Sequence, residues 1–331
     1  MIIDIFTHVL PPVFTAALER SGSRLGLIKR LMEVRELHDL DRRFRTMDGL
    51  GDYRQVVALP NPPIEDFAEP RQGAELARIG NDGMAELVGR HPDRFAGFIA
   101  ALSMTDMDSC LEEIYRAITT LGAVGVQVFT NVKGKALDAP EFAPLFAAMA
   151  KHDRPIWLHP ARSAETTDYA AEPRSRFELW WCFGWPYDTS VAMARLVFAG
   201  LFDRHPKLDI ITHHLGGMVP YFDKRIENGL AVLGSRTRDE DYSGVLASLK
   251  RPHLDYFKMF HADTALFGAS RGLDCGLGFF GVGNVVFASD APFGPIAETR
   301  DAIEQANLDA QSRAAILHGN AERLLRLKPT R

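Results

Sequence analysis

Cysteine is scarce in this 331-residue chain, which contains only Cys110, Cys182 and Cys275. An odd number of widely separated cysteines does not form the disulfide framework of a small secreted domain. The first residues lead directly into an apolar run, with no basic segment and no cleavage site, so we expect no export. We therefore expect reduced thiols and a cytoplasmic location.

Clusters of positive charge and long hydrophobic runs are also absent. The chain has 38 basic and 43 acidic side chains, a net charge of −5, and no block of basic residues. Binding to nucleic acid needs a clustered positive surface, so we expect no nucleic-acid partner. No apolar stretch approaches the ~20 residues that span a membrane, so we expect no membrane partner. With 46% hydrophobic and 24% charged residues, the composition is that of an ordinary globular protein and excludes disorder, collagen and coiled coil.

What the sequence does contain is a regular alternation of short apolar runs with segments of helical period. The runs are typical of parallel strands covered on both faces. Eight strand-then-helix units favour a closed (β/α)8 barrel, or TIM barrel, over an open sheet. No linker divides the chain, so residues 1–331 are predicted to form a single domain. The predicted strands cover residues 2–6, 55–59, 95–101, 123–129, 155–159, 208–212, 254–260 and 284–288.

Two connections are longer than an ordinary loop of such a barrel. Residues 7–53 follow the first strand and residues 161–185 follow the fifth. Both segments follow strand ends, and barrel active sites are built at the C-terminal ends of the strands. We therefore predict an insertion after strand one and a lid-like segment after strand five.

Four predicted strands end in histidine or aspartate. His8 follows strand one, His159 ends strand five, His213 and His214 follow strand six, and Asp290 follows strand eight. Imidazole and carboxylate suit Zn²⁺, and a catalytic zinc needs about three protein ligands plus an open position. For any one histidine, a hydrogen bond that caps its strand is an equally good explanation. The coincidence of four strand ends favours a metal site formed by His8, His159 and Asp290.

Six short motifs occur in a specific order: DIFTH at 4–8, GVQV at 125–128, WLHP at 157–160, HLGG at 214–217, SDAPF at 289–293 and GNAERL at 319–324. Together they resemble the amidohydrolase superfamily, in the branch that includes aminocarboxymuconate-semialdehyde decarboxylase, the resorcylate-type decarboxylases and related hydratases and hydrolases. The resemblance covers nearly the whole chain. It implies a metal-dependent barrel enzyme.

The resemblance also implies a role for individual residues. His8 matches the second histidine of the family's strand-one His-x-His motif, and His159 matches the ligand from strand five. His214 matches the histidine that contacts the metal-bound water or the substrate. Asp290 matches the carboxylate that binds metal and handles the proton. One divalent metal ion is thus implied, and we expect zinc, with manganese as the alternative.

Phe6 departs from the family pattern, because the family usually has histidine or glutamate at this position. Phenylalanine cannot coordinate a metal, so we expect a weaker metal site in which Phe6 instead lines the substrate pocket. His213 precedes His214 in the chain. Because neighbouring residues of a strand point to opposite faces, we interpret His213 as structural.

The segment 161–185 combines arginines with aromatic side chains. Arginine binds carboxylates through two parallel hydrogen bonds, and aromatic rings can cover a planar substrate. We therefore predict a lid over a carboxylic acid substrate. The alternative is a surface loop or a subunit interface, where both residue types are also common. The predicted substrate-binding side chains of this segment are Arg162, Arg174, Arg176, Trp180 and Trp181.

These residues, with the resemblance, predict non-oxidative decarboxylation of an aromatic or unsaturated carboxylic acid. Asp290 is expected to deliver the proton and His214 to orient the substrate. His261 follows the predicted seventh strand and is placed in the substrate pocket, although a rim histidine without a substrate role is an alternative. Metal-dependent hydrolysis or hydration is the second hypothesis, and a metal-free barrel that only binds a carboxylate is the third. The expected partners are a small carboxylic acid and a second copy of the chain.

Overall fold

The computed structural model describes residues 1–21, 26–237 and 240–327, and within them eight strands form one parallel sheet. Each strand pairs with the next in chain order. The strands are β1 (Ile2–His8), β2 (Tyr53–Ala58), β3 (Phe95–Ala100), β4 (Gly125–Phe129), β5 (Ile156–His159), β6 (Ile210–Thr212), β7 (His261–Asp263) and β8 (Val285–Val286). A two-strand hairpin follows β4, at Asn131–Val132 and Lys135–Ala136.

The sheet closes between β1 and the chain that follows β8. The His8 amide donates a hydrogen bond to the Ala291 carbonyl at 2.7 Å, and the Asp290 amide donates to the Phe6 carbonyl at 3.1 Å. A parallel bridge between Thr7 and Ala291 lies at the same place. The predicted (β/α)8 barrel is therefore confirmed.

Helices surround the barrel and cover the apolar outer faces of its strands. The longest one shows why: its buried residues recur at helical spacing, from Leu76 and Ala77 to Met84 and Leu87. Within the described residues, no helix combines the length and apolarity needed to cross a membrane. The α-helices are α1 (Pro12–Ser21), α2 (Gly26–Glu33), α3 (Leu40–Asp48), α4 (Pro70–Arg90), α5 (Met107–Thr119), α6 (Ala143–His152), α7 (Leu179–Cys182), α8 (Gly184–Phe198), α9 (Leu201–Arg204), α10 (Asp223–Leu230), α11 (Ser243–Ser248), α12 (His253–Phe257), α13 (Ser270–Phe280), α14 (Ile296–Gln305), α15 (Ala310–Ala314) and α16 (Asn320–Leu325).

The seventh strand does not lie where the sequence predicts it. Residues 254–260 were expected to form this strand, but most of them belong to α12, and β7 begins only at His261. A short apolar run fits a buried helix as well as a buried strand. Here the run packs Tyr256 and Phe257 into the outer helical layer.

Strand β1 contains one extra residue, which places two consecutive side chains inside the barrel. Between Asp4 and Thr7 it advances three residues while β2 advances two, which defines a β-bulge. Phe6 and Ile5 both belong to the apolar cluster that fills the barrel interior. Thr7, on the outer side, donates a hydrogen bond to the Val56 carbonyl at 3.1 Å. His8 then returns to the interior at the C-terminal end of the strand.

Candidate active site

A cavity of about 580 Å³ opens at the C-terminal ends of the barrel strands. Its floor is polar, whereas its walls are mainly aromatic and apolar. Such a combination is typical of a small-molecule site. The lining includes His8, His159, His214, Asp290, Asn61, Arg30, Trp180, Trp181, Trp185, Pro186, Phe267 and Phe293.

His8 lies between two hydrogen-bond acceptors. Its Nδ1 is 3.3 Å from the Leu59 carbonyl oxygen, and its Nε2 is 2.8 Å from Asp290 Oδ1. Both side chains are buried. A neutral imidazole carries one N–H and cannot donate to both oxygens. The arrangement therefore suits a cation bound by Nε2 and the Asp290 carboxylate, with Nδ1 facing the Leu59 carbonyl.

His159 completes a group of three metal-capable side chains. Its Nδ1 is 2.7 Å from the Pro160 carbonyl oxygen. The three side chains each offer one ligand atom, and these atoms lie within 4.8 Å of one another: those of His8, His159 and Asp290. Burial, with His213 and His8 nearby, holds the pKa of His159 well below its usual value, so its ring is neutral. The donor set fits a divalent ion such as zinc.

His213 also points into the barrel, and the interpretation that it faces away is wrong. Ile211 belongs to the interior cluster, so His213, two residues further along, lies on the same side. Its Nδ1 is 2.5 Å from Asp263 Oδ2, and its Nε2 is 3.8 Å from Asp290 Oδ1. Burial opposes the charged ring, but Asp263 and then Asp290 outweigh it and raise the pKa of His213.

His214 reaches the cavity by way of a left-handed turn. His214 and Leu215 have φ values of +52°, and Gly216 and Gly217 have +79° and +60°. The His214 ring stacks on Trp185, with ring centroids 6.1 Å apart. Burial is the main reason that its pKa is held well below the usual value, with His213 and then His159 adding to the effect. The turn is what allows both neighbouring histidines to face one site.

Phe6 lies at the centre of the histidine group and is only 1% exposed. Its ring centroid is 4.7 Å from that of His8, 4.9 Å from that of His213 and 5.7 Å from that of His159. The position beside the metal-capable group is therefore filled by an apolar ring. Whether Phe6 contacts substrate stays a prediction, because it lies beneath the cavity lining rather than in it.

The arginines of the segment 161–185 lie outside this cavity. Arg162 and Arg174 line a neighbouring groove, and Arg162 forms an ion pair with Asp188 at 3.2 Å. Arg176 lies over the exposed ring of Phe177, at 4.9 Å. The structure therefore does not bring these three predicted substrate-binding side chains to the histidine group. The Arg162 main chain does contact a cavity residue, because its carbonyl accepts a hydrogen bond from the Trp185 indole.

Trp180 and Trp181 do line the cavity, as the sequence predicts. His261 does not. It is the first residue of β7, so it lies at the N-terminal end of the barrel, where its Nε2 is 3.3 Å from Asp209 Oδ1. The placement of His261 in the substrate pocket is wrong because the strand begins at this residue instead of ending before it.

The sequence prediction missed several lining residues, among them Asn61, Arg30 and Phe293. Asn61 comes three residues after the end of β2, and Phe293 ends the SDAPF motif, so strand ends pointed to both. Arg30 lies on α2, inside the long segment after β1, and no periodicity of that helix distinguishes it. Asp263, which holds His213, follows the predicted strand seven and in the structure is the last residue of β7.

The fold and the site together define a class of protein. A (β/α)8 barrel carries two histidines and an aspartate at the C-terminal ends of β1, β5 and β8, and they face an apolar cavity. This arrangement is typical of barrel enzymes that bind one divalent cation at the active site.

The chain belongs to the amidohydrolase family, whose sequence model matches residues 3–327. It is 30% identical over 311 residues to gamma-resorcylate decarboxylase from Rhizobium sp. (strain MTP-10005), covering 90% of this chain and 89% of that protein. A 2-amino-3-carboxymuconate-6-semialdehyde decarboxylase from Dictyostelium discoideum is 29% identical over 243 residues, which cover 69% of this chain and 66% of that protein. The structure of a dihydroxybenzoic acid decarboxylase from Polaromonas sp., with bound manganese and 2-nitroresorcinol, has a TM-score of 0.80 at 26% identity and covers 99% and 98% of the two chains.

Proposed function

We propose that this chain is a metal-dependent decarboxylase that removes CO2 from an aromatic carboxylic acid without an oxidant. The observation that carries the proposal is the group His8, His159 and Asp290 at the floor of a cavity walled by tryptophans. The relatives, which are decarboxylases of aromatic or unsaturated acids, support the same reaction. The function belongs to one domain that spans the chain.

The ion would be held by His8, His159 and Asp290. When bound, it acts as a Lewis acid on the substrate's carboxylate or on a neighbouring oxygen. Two imidazoles and one carboxylate suit zinc, whereas the manganese in the related structure supports the second candidate. We propose zinc, and metal analysis of protein purified without added metal distinguishes the two.

The tryptophans orient the substrate and exclude water. Trp185 packs against His159, with ring centroids 5.5 Å apart, and Trp180 packs edge-on against Trp185 at 5.5 Å. A planar aromatic acid is covered by these rings while its polar end reaches the histidine group. Excluding water strengthens the electrostatic interactions at that end and favours the loss of CO2 in a dry site.

Asp290 is assigned to proton transfer. In the reaction the bond between the ring carbon and the carboxyl carbon breaks, and its electron pair stays on the ring carbon. That carbon then takes a proton from the Asp290 carboxyl group, so one C–C bond is replaced by one C–H bond, and the Asp290 carboxylate takes up a proton from water before the next turnover. His214, stacked on Trp185, is placed to hold a substrate oxygen during this step.

Release of CO2 from a panel of aromatic acids tests the proposal. Dihydroxybenzoates, other hydroxybenzoates and muconate semialdehydes are incubated with the metal-loaded protein, with chelator-treated protein as the control. CO2 release that disappears on metal removal is the expected result. Incorporation of ¹⁸O from labelled water without CO2 release would instead establish the hydrolase hypothesis.

A further inference from the structure

Three histidines that surround the Phe6 ring are held in the same way. In each, an oxygen acceptor holds Nδ1: the Leu59 carbonyl for His8, the Pro160 carbonyl for His159 and the Asp263 carboxylate for His213. Metal-binding histidines usually have one ring nitrogen fixed by a carbonyl or carboxylate oxygen, which leaves the other for the metal. By this criterion His213 resembles the two histidines already assigned to the metal.

The free nitrogen of His213 is buried next to the metal-capable carboxylate. His213 is 2% exposed, and its Nε2 has no hydrogen-bond partner among the described residues. That atom lies 3.8 Å from Asp290 Oδ1, the same oxygen that contacts His8. A buried polar atom without a partner costs about 1–3 kcal/mol, so its position calls for an explanation. A cation shared with Asp290 provides one.

We propose that His213 is a fourth protein ligand of the metal ion, in addition to His8, His159 and Asp290. The inference rests on the proposed function only in requiring that this site holds a metal. His213 would then supply the metal ligand that Phe6, which has no donor atom, cannot supply. The Phe6 ring packs edge-on against the rings of both His8 and His213.

The neighbouring His214 provides the contrast. Its Nδ1 is also buried and without a partner, and it belongs to a second group with His213 and Asp290 whose ligand atoms lie within 4.8 Å. However, no carboxylate or carbonyl oxygen of the described residues holds this Nδ1, and its ring lies against Trp185 in the cavity wall. His214 is therefore assigned to the substrate rather than to the metal.

Metal affinity of matched variants tests the assignment. Chelator-treated protein is titrated with Co²⁺ and with Zn²⁺, and binding is followed by the cobalt absorption bands and by competition with a chromophoric chelator. H213Q is expected to weaken binding at least tenfold, and D263N about 10- to 100-fold. H214Q, the matched control, is expected to change metal affinity less than threefold. Equal affinity of H213Q and the wild type would overturn the proposal.

A rescue experiment separates a lost ligand from a damaged fold. Replacing Phe6 by histidine puts an imidazole beside the same group, so F6H/H213Q is expected to regain most of the affinity that H213Q loses. If H213Q does not fold, X-ray absorption of the zinc-loaded wild type decides directly. Three imidazoles at zinc support the proposal, and two overturn it.

These readouts are independent of turnover. A protein with three imidazoles at the metal that releases no CO2 keeps this assignment and loses the proposed decarboxylation. A protein that releases CO2 with only two imidazoles at the metal keeps the decarboxylation and loses this assignment. A wild type that binds no Co²⁺ or Zn²⁺ contradicts both.

Discussion

Asp290 owes its position to an uncommon backbone conformation. Its φ is +64°, in the left-handed region where aspartate is one of the more tolerated residues. Gly294 follows in the same turn, and a Cβ at this position would collide with the Ser289 carbonyl oxygen. The chain therefore turns sharply at Asp290 and points its carboxylate towards His8 on the adjacent strand β1.

Removing His159 is expected to release the metal without unfolding the barrel. Strand-end residues on this face of a barrel serve function more than stability, so H159A should lower metal affinity at least tenfold and abolish CO2 release. Metal content and circular dichroism are measured on the same sample. H318A, which changes a partly buried histidine paired with Glu322, is the control and should keep its metal. Full metal content in H159A would remove His159 from the site.

Glu65 gives a prediction about pH and stability. Its side chain is almost fully buried, its Oε2 has no partner among the described residues, and burial raises its pKa from 4.5 to about 7. The folded chain therefore holds a proton that the unfolded chain releases above pH 4.5. Stability contributed by the neutral carboxyl group is complete below about pH 4.5 and is lost as the pH rises to about 7. The shift corresponds to about 3 kcal/mol.

E65Q removes this titration and should raise the free energy of unfolding at pH 8 by up to about 3 kcal/mol, with little change at pH 4.5. Urea unfolding at both pH values measures the difference. The exposed Glu75, changed to glutamine, is the control and should show no such pH dependence. A stabilisation by E65Q that is equal at the two pH values would contradict the burial argument.

Sequence reasoning located His8, His159 and Asp290 because parallel strands place their C-terminal ends together. The arginines of 161–185 could not be placed in the same way. That segment has no periodicity before α7, so nothing in it fixes the direction of a side chain. Its geometry depends on local bonds such as that from the Arg176 amide to Asp168, and these became visible only in the structure.

At the scale of elements, the turn from His214 to Gly217 connects the histidines to the cavity wall. Gly217 has φ +60° and ψ −117°, a conformation that essentially only glycine adopts, and a Cβ there would collide with the Pro186 carbonyl oxygen. G217A is therefore expected to destabilise the protein by about 2 kcal/mol or more, as measured by urea unfolding. Because Pro186 lines the cavity, substrate KM should rise as well.

Gly244 is the matched control for this change. It lies within α11, its φ is not positive, and a Cβ there meets no atom within 4 Å. Replacing a helical glycine by alanine under these conditions stabilises by about 0.5–1 kcal/mol. If G217A and G244A had similar effects, the left-handed turn would not constrain this part of the chain.

Element boundaries explain most of what the sequence could not predict. The alternation of strands and helices was sufficient for the barrel, and seven of the eight strands overlap their predicted ranges. The exception, β7, consists of His261, Ala262 and Asp263, which carry no apolar run. At one end of the barrel His261 contacts Asp209, and at the other end Asp263 contacts His213. A prediction from hydrophobicity therefore places the seventh strand on the adjacent apolar run, most of which forms α12 in the structure.

At the scale of the whole molecule, closure of the barrel depends on one buried carboxylate. Asp4 Oδ2 accepts hydrogen bonds from the Tyr53 hydroxyl at 2.6 Å and from the Ser289 hydroxyl at 2.5 Å, and Oδ1 accepts one from the Ser289 amide at 3.1 Å. These bonds join β1, β2 and the chain after β8. Asp4 lies on the outer side of β1, between the interior residues Ile3 and Ile5, and is therefore turned away from the cavity.

The Phe6 amide also donates to Asp4 Oδ1, at 3.4 Å, so replacing Asp4 by alanine leaves four buried donors without this acceptor, each at about 1–3 kcal/mol. D4A is therefore expected to lose at least about 3 kcal/mol in the free energy of unfolding, measured in urea at pH 8. Burial raises the pKa of Asp4 to about 6, so its carboxylate is ionised at that pH. Y53F, which removes only one donor, should lose about 1 kcal/mol.

Because Asp4 joins the first strand to the last, circular dichroism of the helices and fluorescence of the rim tryptophans should report one shared transition in both variants. If fluorescence in D4A changed at a lower urea concentration than circular dichroism, closure would stabilise only the rim, and the barrel would not unfold as one unit.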